Sequence, residues 1–165
     1  MNRIWSRLGA MLIFITWTIE PFHLADADVA ELETTAWKAA SFIKGMYTTY
    51  VHLMHVCQEI DGKNVDAYNE AIVALATIAN PALNQAEMVM RGEAARAGKD
   101  ADWLAEANQD IDHVSDLTAE DYKKHPEKLL SDCRFAPEQA KAHIGIFAPL
   151  RDQFPKQMHI VEQWR

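Results

Sequence analysis

The sequence predicts an all-α fold, a single-domain helical bundle with one long N-terminal helix closed by a long-range disulfide. Three observations carry this. Apolar residues recur at intervals of three and four, as on one face of a helix. No strand-like alternation lasts more than a few residues, and Gly, Pro, Asn and Asp divide the chain into helix-length pieces. The cysteines are a single pair, Cys57 and Cys133, far apart in sequence.

The first 27 residues read as a secretory signal. Met1 to Arg7 carries two cations and no anion, Leu8 to Ile19 is apolar, and Ala25-Asp26-Ala27 offers small residues at a cleavage position. The apolar run is 12 residues long, short of the roughly 20 that a spanning helix needs. The expected organisation is a signal peptide over 1–27 and a helical domain over 28–165, periplasmic or secreted, with no stable membrane insertion after cleavage. In an oxidising compartment an even cysteine pair reads as one structural bridge.

The first predicted helix runs from Val29 to Ile60. Ala36, Ala40, Ile43, Tyr47, Tyr50, Met54 and Cys57 share a seam that Trp37, Met46, Val51, Leu53 and Ile60 widen, while Lys38, Gly45, His52 and Glu59 recur on the opposite face. Asp61-Gly62-Lys63-Asn64 supplies a turn. A second helix is predicted over Val65 to Ala79, with Asn80-Pro81 ending or kinking it and beginning a third that stops near Gly98. Asp100 caps a fourth, carrying Trp103, Ala107, Ile111 and Val114 at helical spacing. Thr118-Ala119-Glu120-Asp121 and His125-Pro126 resemble further starts. Ala136-Pro137 begins the last helix, through Ala140, Ile144, Phe147 and Phe154, with Gly145 and Pro149 as interruptions.

Charge is distributed unevenly. The formal net charge is −8, and residues 100–121 alone hold eight acids and no Lys or Arg. This balance excludes nucleic acid and anionic lipid as partners, since both require clustered cations. An all-acid run steers a basic protein toward it. Asp100, Asp102, Glu106, Asp110, Asp112 and Asp116 are therefore the candidate partner-binding residues, and a solubilising face is the plainer role for the same run.

Other patterns are open to chemistry. His52, His55 and Glu59 are spaced three and four apart, so they point in similar directions and form a candidate transition-metal set. Their places also suit the polar side of an amphipathic helix. Asn108, Asp110, Asp112 and Asp116 fall at places one, three, five and nine of a calcium loop, but His113 and Ala119 stand where the turn glycine and bidentate glutamate belong. A methionine–histidine haem site would pair Met46 or Met54 with His143, while c-type attachment lacks its C-x-x-C-H. There is no G-x-S-x-G, H-E-x-x-H or glycine-rich phosphate loop. The expectation is a non-enzymatic exported protein without a cofactor that binds another macromolecule in an inhibitor, immunity or chaperone-like role. A periplasmic metal or haem carrier is the alternative.

Overall fold

The computed structural model describes residues 34–165. The signal-peptide reading of 1–27 and the start of the first predicted helix, 29–33, lie outside the described residues. The described part consists of helices and connecting turns. In order, these are α1 (Thr35–Ile60), α2 (Val65–Arg96), α3 (Ala101–Lys123), α4 (Pro126–Ala142), a 3-10 turn (Gly145–Phe147), α5 (Leu150–Gln153) and α6 (Pro155–Gln163).

Helix α1 begins where Thr34 accepts a hydrogen bond from the Trp37 amide at 3.1 Å, satisfying a donor that the first turn leaves unpaired. The predicted seam is largely buried: Ala40, Ile43, Tyr50, Met54 and Cys57 lie in the core. The opposite face departs from expectation. Lys38 and Glu59 are exposed, but Gly45 is buried and His52 is half-buried, because α3 packs on this side of α1. The Ser115 hydroxyl of α3 bonds the Ile111 carbonyl at 2.8 Å and comes within 3.4 Å of the Gly45 carbonyl. Thus α1 is a central helix wrapped by α2, α3 and α6.

The turn after α1 is fixed by Asp61, whose carboxylate accepts from Asn64 Nδ2 at 2.9 Å and from the buried Tyr68 hydroxyl at 3.0 Å. Those bonds hold the Asp61 carboxyl below its ordinary range. Tyr68 is in turn pushed up to about 12, by burial first and then by its bond to Asp61.

The two helices expected on either side of Asn80-Pro81 are one, a 32-residue α2 with Pro81 in its interior. Proline removes a helix hydrogen bond and crowds the preceding turn, at roughly 3 kcal/mol. Against this stands a seam that runs past the proline without a break of phase: Tyr68, Ala71, Leu75, Ala79, Ala82, Ala86 and Val89 are all buried, with Pro81 itself on the exposed side. Fully burying one large apolar side chain contributes about 1.5–3 kcal/mol, so two such residues offset the defect.

Helix α3 starts at Asp100, whose side chain accepts from the Trp103 amide at 2.9 Å, as expected. It then continues through Thr118–Asp121, which the sequence marked as a new start. Thr118 turns its hydroxyl back to the Val114 carbonyl at 2.8 Å, an alternative that a mid-helix threonine commonly takes. Helix α4 starts at Pro126 as expected, and Pro137 lies inside it rather than at a start. Leu129, Cys133, Ala136 and Ala140 form its buried seam. It stops at His143, which adopts a left-handed φ of 53°, and the expected interruptions at Gly145 and Pro149 mark the start of the 3-10 turn and the cap of α5, so the segment on to Phe154 is not continuous helix. Cys57 and Cys133 are disulfide-bonded, with a Cα–Cα distance of 5.4 Å, joining α1 to α4.

A buried carboxylate closes one end of the bundle. Glu93 of α2 accepts from the Thr34 hydroxyl at 2.6 Å, the Trp164 indole at 2.6 Å and Arg96 at 2.9 Å, and Arg96 stacks 4.6 Å from the centre of the Trp164 ring. Burial alone would raise the Glu93 carboxyl, but the bonds from Thr34 and Trp164 and the Arg96 charge outweigh it and lower it. A lowered carboxyl contributes stability at pH above its unfolded value, about 4.3, and that contribution is lost as pH falls through the folded value. Stability measured by chemical denaturation should therefore fall below about pH 4.3. Glu93→Gln should reduce that slope, while an unchanged slope would assign acid sensitivity to other carboxylates such as Asp61.

Candidate functional site

The eight acids of residues 100–121 take different roles once α3 is formed. Asp100 is occupied as the cap. Glu120 pairs with Lys123 at 2.5 Å and Asp121 with Lys124 at 2.6 Å, each within one helical turn. Asp112 and Asp116 lie toward α1, at 3.2 and 3.0 Å from the two ring nitrogens of His52. Asp102, Glu106 and Asp110 remain. They are exposed and spaced by four residues, which sets them along one outward stripe, and among the described residues no cation pairs with them. The six partner-binding candidates thus separate into one cap, two carboxylates facing His52, and three on the solvent side. His113 and Leu117 are also exposed on that solvent side, Leu117 by 57%.

Beside α3 lies an open groove of about 410 Å³ between α3 and α2. Its alanine-rich walls include Ala94, Ala95, Ala101 and Ala105, with Leu104 among them. At one end Lys44 of α1 donates to Glu87 at 3.0 Å and to Asn108 at 2.7 Å, and Arg91 donates to Glu87 at 3.0 Å. Burial opposes ionisation of Glu87, yet the bonds from Lys44 and Arg91 prevail and lower its carboxyl. Lys44 thereby ties α1 to both α2 and α3 through compensated charge. The groove volume falls within the range of small-ligand sites, but its charged groups on this side are directed at one another. The Trp37 ring of α1 and the Trp103 ring of α3 stand 5.1 Å apart, with Lys99 5.8 Å from the Trp103 centroid.

The metal-set candidates point to different partners. His52 faces Asp112 and Asp116, His55 is exposed and bonds Gln58 at 3.0 Å, and Glu59 pairs with Lys123 at 2.7 Å. Among the described residues no group of three His, Cys, Asp or Glu side chains is arranged to hold a metal ion. The calcium-loop pattern lies within continuous helix, where Asn108 accepts from Lys44. For the haem pairing, Met46 and Met54 are packed in the core and His143 is exposed at the end of α4.

Sequence reasoning did not identify Lys44, Glu87 and Asn108 as a three-helix junction. Its only local signal was a lysine between the core residues Ile43 and Met46, where a long side chain can run along apolar surface and deliver its charge to a partner. Among the described residues, no helix is long and apolar enough to cross a membrane. No protein-family model matches the chain, and no curated protein or solved structure matches it significantly.

Proposed function

We propose that this is an exported, non-enzymatic helical protein that binds a basic protein partner through the outward face of α3. The observation that carries the reading is the stripe of Asp102, Glu106 and Asp110: three exposed carboxylates without cationic partners among the described residues, on a helix whose other acids are engaged locally. Carboxylates held on a rigid element create a directed negative potential that accelerates encounter with a basic surface. Exposed Leu117 on the same side adds an apolar contact of the sort that interface centres use. The disulfide between Cys57 and Cys133 favours an oxidising compartment as the place of action. The partner class corresponds to an inhibitory, immunity or chaperone-like role.

The experiment is affinity capture from the source's own exported fraction, comparing the parent with Asp102→Asn/Glu106→Gln/Asp110→Asn. The parent should retain a basic protein that the triple variant loses, with identical helical content and unfolding midpoint in the two forms. Equal retention by both would remove the stripe from the interface.

A further inference from the structure

His52 stands between two helices with a carboxylate oxygen at each ring nitrogen: Asp112 Oδ1 is 3.2 Å from Nε2 and Asp116 Oδ1 is 3.0 Å from Nδ1. The histidine side chain is 19% exposed. Its Nδ1 is shielded from solvent and makes no aligned hydrogen bond, so its contact with Asp116 is one of charge and proximity. A neutral imidazole carries a proton on one nitrogen and a lone pair on the other. In either tautomer, therefore, an unprotonated nitrogen lies beside a carboxylate, and only the imidazolium cation is attracted to both.

This contact lies midway along α3. The buried face of α3 is made of Ala107, Ile111, Ser115 and Ala119, three of them small, and α3 packs chiefly on α1. Among the described residues its other polar ties to α1 include Ser115 to the Gly45 carbonyl and Lys44 to Asn108 on one side of His52, and Glu59 to Lys123 on the other. Asp112 and Asp116 are the charged groups within ion-pair distance of the ring among the described residues. On the same helix as His52, the His55 ring turns to Gln58 and the Glu59 carboxylate to Lys123. On α3, Glu120 is also paired with Lys123.

The geometry points to a proton-operated fastening: protonation of His52 secures α3 to α1 through Asp112 and Asp116, and loss of that proton loosens α3. The secured state is the more acidic one and is given up as pH rises. This device is a property of the protein alone and does not depend on the docking reading.

The test is amide hydrogen exchange of α3 at about pH 5.5 and pH 8, corrected for intrinsic exchange chemistry, with imidazole 15N shifts recorded in parallel. In the parent, protection of α3 should be several-fold lower at the higher pH while the interior of α2 is unchanged, and both His52 nitrogens should carry protons at the lower pH. His52→Gln should remove the pH dependence although it leaves His113 on α3 in place. Asp112→Asn/Asp116→Asn alters only exposed positions and should remove it too, which keeps the test valid if the histidine variant fails to fold. Equal α3 protection at both pH values in the parent, or a bare nitrogen on His52 at the lower pH, would overturn the inference.

Discussion

Replacing Cys57 and Cys133 together with alanine is expected to lower stability by about 2–5 kcal/mol, the usual effect of removing a native bridge. The bond spans a sequence separation of 76, for which loop-closure entropy alone suggests roughly 4 kcal/mol. Both cysteines are 1% exposed, so each substitution also leaves a small void in the packed region between α1 and α4. Denaturant unfolding of parent and double variant under non-reducing conditions measures the loss. Adding reductant should bring the parent close to the variant and leave the variant where it was. A double variant as stable as the parent would mean that α4 is held by its apolar seam alone.

Truncating Tyr50 to alanine should cost about 3–5 kcal/mol, as for other large buried aromatics. Its ring is fully buried at the centre of α1, and its hydroxyl donates to Gln153 Oε1 at 3.0 Å. Gln153 in turn donates to the Ala148 carbonyl at 2.6 Å and the Ile146 carbonyl at 3.3 Å. A single phenol thus orders the turns that deliver α5 and α6 onto the bundle. Tyr50→Phe should cost only about 0.5–1.5 kcal/mol, the net value of one hydrogen bond, and the contrast separates packing from polar fastening. Burial, followed by the nearby Tyr122, pushes the Tyr50 hydroxyl well above its ordinary value. Its contribution is therefore complete below about pH 10 and is lost as pH rises further. If alanine and phenylalanine cost the same, the hydroxyl rather than the ring would be the essential group.

The central helix, the acid-capped α3 and the cysteine pair were legible because each rests on local chemistry or on a simple period. The Asp100 cap and the Pro126 start satisfy backbone groups within one turn of themselves. The errors lie where tertiary packing overrode punctuation. Pro81 looked like a boundary because proline is costly within a helix, yet the buried seam keeps its phase from Tyr68 to Val89; weighing that phase above the proline would have joined the two halves. Pro137 was misread for the same reason, with Cys133, Ala136 and Ala140 continuing across it. The breaks after α4 were signalled by Gly145 and Pro149, whereas the stop itself falls slightly earlier, at a left-handed His143, which carries a weaker sequence signal than glycine.

The site was less legible than the fold. An amphipathic wheel assigns His52 to a solvent face, but α3 covers that face, and the pairing across 60 and 64 positions, as in His52 with Asp112 and Lys44 with Asn108, has no local signature. The acidic run was visible as charge, whereas its division into capped, paired and outward carboxylates required the helix and its neighbours.

Binding kinetics against the captured partner, for the parent and for Asp102→Asn/Glu106→Gln/Asp110→Asn at two ionic strengths, test the docking face most directly. Screening reaches about 8 Å at physiological salt, and exposed charges act mainly on association. Association of the parent should slow as salt is raised, and association of the triple variant should be slower than the parent's and less sensitive to salt, with similar dissociation rates in both. Association rates that are equal in the two proteins and indifferent to salt would contradict the assignment of the α3 stripe as the partner-binding surface.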